Sequence, residues 1–371
     1  MVGSLIFQTI QMGVIPILLA QLLAQQGVSS FVVGVILAVS WITIFAFGPF
    51  VPRLIRVLGD GTAFILAAAL TTGALLILLM ESNLGVLIAA SVLAGGGLII
   101  RWIAADTLVV TMSRPESRGR MIGLHEALMG LGIALGPLVF VIMDLGQAKL
   151  FGLGLCGIGL TLLVLSVANH EMRVEQTSAN NDKGNHYKLI IIGLMAAFVS
   201  GFIENSSIAL LPLHYAPYGY ALTTSAVFVS GFGLGGTLLQ PPLGYLADRK
   251  GVKFAQGVCV TATIAACATA AFVTAPAWLV VGIVFLMGGA VGGLNTLAVV
   301  EAGTVLNADR IPVAMTAIAM VYTLGSIAGP AVAGALLDTG YRPAMLIGFL
   351  VATSLLGLWL LAHKPAKPVT A

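Results

Sequence analysis

The chain has 371 residues, 59% apolar and 8% charged, with a formal net charge of +3. Soluble domains carry about 25% charged residues, so a water-soluble fold of this size is excluded, as are disordered, collagen-like and disulfide-stapled chains. A transmembrane β-barrel would alternate in segments of about 10 residues, and this chain instead shows long unbroken apolar runs.

Those runs predict twelve helical spans, because crossing about 30 Å of hydrocarbon takes about 20 apolar residues. They fall at 4–24, 31–55, 62–80, 84–106, 121–144, 148–169, 189–213, 221–247, 252–275, 277–300, 311–338 and 341–362. The first lacks a basic n-region and an A-x-A site and reads as a retained helix. It carries Gln8 and Gln11, three apart and so on one face, which makes them candidates for a shared substrate surface. Trp41 in the second span and Trp102 in the fourth are possible cavity walls or lipid-facing rings. The fourth also carries Gly95-Gly96-Gly97, Arg101 and, near its end, Asp106. A charge inside a span costs about 2.5 to 3.5 kcal/mol on insertion scales and is a functional candidate by default, so Arg101 reads as a binding cation for an anionic group or a partner for Glu126.

The fifth span opens with His125 and Glu126, both candidates for proton coupling, although neighbours on a helix point about 100° apart. Further along it runs Gly132-Ile-Ala-Leu-Gly136-Pro137, a string that either packs helices closely or marks a gate at the proline kink. The stretch from Asn169 to Lys188 is the only long polar one inside the chain. It reads as a linker (170–188) between an N-terminal six-helix half (1–169) and a C-terminal six-helix half (189–371).

In the seventh span Ser200-Gly-Phe-Ile-Glu204-Asn205-Ser206-Ser207 places a carboxyl beside an amide and two hydroxyls. Glu204 is the leading proton-coupling candidate, the alternative being an interhelical hydrogen bond. Asn205 is a substrate-binding candidate, Phe202 a wall, and His214 marks the outer mouth. Asn295 in the tenth span is a further substrate-binding candidate, and Glu301 near its end reads as a structural loop anchor. The eleventh holds Tyr322 and Gly325-Ser-Ile-Ala-Gly329-Pro330. Cys156, Cys259 and Cys267 lie in apolar runs and form no C-x-x-C, so they read as buried small residues.

Fourteen of the seventeen Lys and Arg residues fall on one side of the twelve-span layout, Lys149 and Arg342 on the other and Arg101 within a span. The positive-inside rule then places both termini in the cytoplasm, and the expected location is the inner membrane. The halves also match at a shift of about 190 residues. Gly132…Gly136-Pro137 finds Gly325…Gly329-Pro330, Asp144-Leu-Gly146 finds Asp338-Thr-Gly340, and Pro49 and Gly59 find Pro241 and Gly251. Two pseudo-symmetric six-helix halves around a midplane cavity are expected.

With these marks in place the whole chain resembles the major facilitator superfamily. Gly244-Tyr-Leu-Ala-Asp248-Arg249-Lys250-Gly251-Val-Lys253 is similar to that family's loop between the second and third helices of a half. The resemblance implies that Asp248 caps a neighbouring helix, that Arg249 latches the basic side, and that Gly136, Pro137, Gly329 and Pro330 belong to the gating machinery. The first half departs from the pattern, with Pro52 in place of the glycine and Arg56 in place of the aspartate. In the fourth span Ser91 stands where many relatives carry an arginine. Trp102 to Asp106 and Arg118-Gly119-Arg120 look closest to a YcaD-like branch of small bacterial transporters.

Gly231-Phe-Gly-Leu-Gly-Gly236 and Gly152-Leu-Gly-Leu-Cys-Gly157 spell G-x-G-x-x-G, but neither follows a strand as the nucleotide fingerprint requires. No metal cluster, Walker loop, H-E-x-x-H or G-x-S-x-G occurs. The expectation is therefore a membrane protein that is not an enzyme, uses no cofactor or metal and binds no nucleic acid. It should work as a lipid-embedded monomer whose partners are a small-molecule substrate and protons. Its expected activity is secondary active transport of a small organic solute by alternating access, with proton antiport and export favoured. The alternatives are proton symport or facilitated uptake, and a non-transporting membrane receptor or scaffold.

Overall fold

The computed structural model describes residues 2–26, 30–80, 83–136, 139, 143–169, 188–215, 218–220, 222–272 and 276–363. The expected linker, apart from Lys188, and Pro137 lie outside the described residues. Among the described residues the structure is helical, with no strand. In chain order the α-helices are α1 (Val2–Gln8), α2 (Ile15–Gln25), α3 (Ser30–Phe47), α4 (Val51–Leu58), α5 (Asp60–Met80), α6 (Leu84–Met112), α7 (Arg118–Leu135) and α8 (Leu145–Asn169). After the linker come α9 (Ile191–Tyr215), α10 (Leu222–Leu238), α11 (Gln240–Lys250), α12 (Val252–Phe272), α13 (Ala277–Val305), α14 (Ile311–Asp338) and α15 (Ala344–Ala362).

Among the described residues ten helical stretches are long and apolar enough to cross a membrane. The fifth and eighth expected spans are present as α7 and α10, of 18 and 17 residues. The chain is thus a multi-pass, all-α membrane protein. Two spans run five or six residues further than the apolar runs suggest. α6 continues to Met112 and α13 to Val305, because Thr107–Met112 and Ala302–Val305 remain compatible with a helix until Ser113-Arg114-Pro115 and Leu306-Asn307 stop it. Asp106 and Glu301 therefore sit inside helices, at least one turn from their ends.

The first span is one helix with a widened turn, Thr9–Val14, between α1 and α2. Pro16 follows at once, and a residue without an N–H cannot close the regular ladder. The second and eighth spans break where prolines enter. A 3₁₀ turn at Gly48–Phe50 precedes α4, and α11 opens on Gln240-Pro241-Pro242. Both short helices then end on glycine with positive φ, Gly59 at 78° and Gly251 at 87°, a conformation open to glycine without steric cost. The marks Pro49 with Gly59 and Pro241 with Gly251 are therefore paired backbone events.

Contacts divide the chain into two compact units, Met1–Leu108 with Leu128–Ala179, and Val109–Ala127 with Asn180–Ala371. The core of the first unit is built on the first span. Phe7, Ile10, Val14 and Leu18 are fully buried against Leu75 and Leu78 of α5, Leu87 and Ala90 of α6 and Ala148 and Cys156 of α8. Gly136 meets Gly13 backbone to backbone, and a Cβ on either would overlap the other's Cα. In the second unit α9 and α14 pack most extensively. Gly201 lies under the Tyr322 carbonyl, Gly325 under that of Phe198 and Gly329 under that of Phe202. Lipid tails are as apolar as side chains, so this close backbone approach, and not a hydrophobic drive, holds such helices together. Pro330 lies inside α14. The glycines of both G-x-x-x-G-P strings are packing surfaces in this structure. The three cysteines are free and buried.

Candidate functional site

In the first unit Arg101 draws a polar cluster together. It lies about eleven residues from the end of α6, a position the long apolar flank of that helix buries, and the residue is 3% exposed. Its Nε–H donates to Gln11 Oε1 at 2.6 Å, Nη1 donates to Ser4 Oγ at 2.9 Å, and Nη2 donates to Gln8 Oε1. Nη1 also lies 3.5 Å from the Met129 sulfur. Gln11 Nε2 in turn donates to Thr71 Oγ1 at 2.6 Å, and Thr71 donates to the Ala67 carbonyl at 2.9 Å. The pair Gln8 and Gln11 does share a face, and that face is occupied by the arginine fork. Asp106, five residues on, is hydrogen-bonded to Trp102 and feels the Arg101 charge. A guanidinium held by three oxygens from the first helix has a defined plane, which suits recognition of a planar polar group.

In the second unit the small-residue stripe of α14 carries polar groups. Tyr322 is hydrogen-bonded to Glu204 of α9. Asn205 Nδ2 donates to Ser326 Oγ at 2.8 Å, and Ser326 donates to the Tyr322 carbonyl at 3.0 Å. Glu204 is half-buried, and its partner is a phenol on another helix, not its flanking amide and hydroxyls. Ser206 spends its hydroxyl on the Phe202 carbonyl at 2.6 Å. Glu126 of α7 exerts a weaker, through-space influence on Tyr322, so of the expected proton-coupling residues Glu204 is the one bonded to this phenol. His125, the third, is 2% exposed. Asn295 has an amide oxygen with no hydrogen-bond partner among the described residues. Phe202 is a core ring, stacked on Phe198 and edge-on to Phe349.

A third cluster lies at the basic end. The Asp248 carboxylate accepts from the backbone N–H of Gly119 at 2.6 Å and of Arg120 at 2.9 Å. These are the second and third residues of α7, where N–H groups lack helical partners and the dipole favours an anion. Gly119 and Gly244 face each other there, and a Cβ on either would strike the other's carbonyl. Arg118 Nη1 donates to the Gly303 carbonyl near the end of α13. Arg249 lies over the Tyr245 ring with Cζ 4.8 Å from its centroid. If the cap sets a conformational equilibrium, Asp248→Asn is expected to lower the transport rate severalfold while solute binding stays within about twofold of wild type. Rate and binding measured on the same reconstituted protein check this, and an unchanged rate would reduce Asp248 to a structural cap.

Glu301 corrects an expectation. It is 8% exposed inside α13, where it accepts from Gln256 Nε2 of α12 at 2.9 Å and from the backbone N–H of Gly193 in the first turn of α9. It anchors helices, not a loop. Tyr322 and Ser326 are the participants that sequence reasoning undervalued. The available signal was their register: 322, 325, 326 and 329 fall on one face of α14, the face that the glycine string already marked as a contact.

The profile described as Major Facilitator Superfamily matches residues 1–189 and 193–371. The MFS-type transporter YfkF of Bacillus subtilis (strain 168) is 27% identical over 263 residues, 69% of this chain and 66%, just under two thirds, of that protein. An MFS-type transporter of Yersinia pestis (strain Pestoides F) is 25% identical over 98% of this chain and 94% of its own length. YcaD of Salmonella paratyphi B is 25% identical over 74% of this chain and 71% of its own. Among solved structures, a bacterial homologue of the iron transporter ferroportin superposes with TM-score 0.80 at 15% identity, covering 97% of each chain. The human organic anion transporter MFSD10 does so with TM-score 0.78 at 13% identity, covering 96% of this chain and 98% of its own.

Proposed function

Since the chain belongs to the major facilitator superfamily, whose members include secondary transporters, we propose that it moves a small organic solute by alternating access in exchange for protons. One observation carries the proton coupling: Glu204 of α9 is hydrogen-bonded to the Tyr322 phenol of α14, on which Glu126 of α7 exerts a weaker electrostatic influence. Gain or loss of a proton at Glu204 changes what Tyr322 must satisfy, and Tyr322 lies on the helix most closely packed against α9. A proton can thereby be read by the packing of a helix pair.

The solute is neutral, amphipathic or weakly anionic in this reading. Arg101 with Gln8 and Gln11 supplies a cation and amides in the first unit, and Asn205 and Asn295 supply amides in the second. Asp248, Arg249 and the glycine–proline strings set the access equilibrium. The proposed setting is a bacterial inner membrane with both termini in the cytoplasm, the chain acting as a monomer. A fucose:proton symporter shares the fold with TM-score 0.74 at 14% identity, so symport is the second reading.

A proton-flux screen in proteoliposomes against a chemically broad set of solutes separates the readings. Solute added outside drives protons out, acidifying the medium, under antiport, and alkalinises it under symport. Saturable binding without proton movement for any solute would favour a receptor or scaffold.

A further inference from the structure

The end of α9 carries an aromatic cluster that the proposed transport route does not use. His214 is 1% exposed, and neither of its ring nitrogens has a hydrogen-bond partner among the described residues. Tyr215 beside it is 4% exposed, and its hydroxyl is likewise without a partner there. The Tyr215 ring stands edge-on to His214 at 4.8 Å and the Tyr218 ring lies 5.6 Å from it. Phe228 of α10 and Tyr220 close the cluster at 4.8 and 5.8 Å from Tyr215.

Among the described residues, the titratable and charged groups that act on Tyr215 and Tyr218 are an arginine, tyrosines and a cysteine. Arg342, in the turn before α15, has Cζ 5.4 Å from the Tyr218 centroid. Tyr341 acts on Tyr218, and Tyr218, Tyr220 and Cys267 of α12 act on Tyr215. None of these neighbours is a carboxylate, and the one full charge among them is the Arg342 cation.

Buried polar atoms are ordinarily hydrogen-bonded, so two orphan nitrogens and an orphan hydroxyl in one ring cluster mark an arrangement with little to spare. A neutral imidazole can be tolerated among rings. An imidazolium is disfavoured, since it would bring two donors and a charge beside a guanidinium, with no carboxylate among these described neighbours. We propose that His214 is a proton-binding site acting as an acid-sensitive catch, which lets the cluster close over the end of α9 when neutral and forces it open to water when protonated.

Burial pushes the His214 imidazole down from 6.5 to about 4. The closed cluster therefore binds the proton less well than the open one. Closure is at full strength above about pH 6.5 and weakens as the pH falls from there toward about 4. The physiological sense rests on the topology proposed above, in which this end faces outside and meets acid first.

The test needs neither a gradient nor a solute. Hydrogen exchange of the purified full chain is followed at pH 7.5 and pH 5.0 and corrected for the intrinsic pH dependence of exchange. The amides of His214, Tyr215, Tyr220 and Phe228 should open on the order of twentyfold more at pH 5.0, while Ala277–Val305 stays unchanged. In His214→Phe, which keeps a ring and cannot titrate, the difference should vanish. A wild-type protein with no acid-dependent change at these amides, a change spread evenly over the chain, or a His214→Phe variant retaining the full change would each overturn the proposal. A failed flux screen leaves this experiment standing, and a flat exchange result leaves the transport reading standing.

Discussion

Glu204→Gln is expected to abolish proton-driven accumulation of the solute while exchange and downhill movement continue. With one proton exchanged per solute, a one-unit pH gradient supports about tenfold accumulation, and the variant should reach a ratio near one. The amide keeps the shape of the carboxyl and still accepts from Tyr322, but it cannot titrate. The packing of α9 on α14 rests mainly on Gly201, Gly325 and Gly329 against backbone carbonyls, so the variant should fold. Glu126→Gln is the comparison. Its charge acts on Tyr322 from α7, so its loss should slow transport and leave accumulation in place. Flux measured in proteoliposomes with and without a pH gradient decides it: full gradient-driven accumulation by Glu204→Gln removes that residue from the mechanism, and loss confined to Glu126→Gln moves coupling to α7.

Arg101→Lys is expected to weaken solute binding about 10- to 100-fold, equivalent to about 1.4 to 2.7 kcal/mol. Lysine keeps the charge, but it cannot reproduce a planar fork donating through separate nitrogens to Gln11, Ser4 and Gln8, and such a site does not treat the two cations alike. Equilibrium binding of a transported solute, with a thermal melt on the same preparation, gives the answer. Weakened binding at near-wild-type melting temperature supports a recognition role. Unchanged binding with a lowered melting temperature would make Arg101 a clamp between the first span and α6. Arg101→Ala is the less informative variant, because it strands the Gln8 and Gln11 carbonyl oxygens in a buried place and costs stability through them as well.

Much of the architecture was legible in residue order because hydrocarbon is an unforgiving solvent. Backbone groups must be satisfied within the span and charges are costly there, so apolar run length, the bunching of Lys and Arg and the position of prolines mark where helices begin and end. The repeat was legible for a related reason, since Gly59 and Gly251 end their helices in a backbone conformation that glycine adopts without steric cost. Among the described residues the differences include the ends of α6 and α13, where apolar or neutral residues continue past a charge, and the breaks inside the first, second and eighth spans.

Partner identity was a different matter. Gln8 and Gln11 could be placed on one face of one helix, yet that they hold Arg101, and that Thr71 and Ser4 complete the set, depends on which faces of the first span, α5 and α6 meet. Glu204 could be named as an intramembrane acid, but its partner Tyr322 lies 118 positions later in the chain. Glu301 read as a loop anchor until Gln256 and Gly193 were seen to donate to it. By itself the sequence determined the class of fold and the short set of polar residues with reason to be there, since those follow from the free energy of each residue in hydrocarbon. The tertiary structure alone decided which of those residues act together, because pairing across helices turns on the rotation and close approach that small residues permit, and neither is written in the order of residues along one helix.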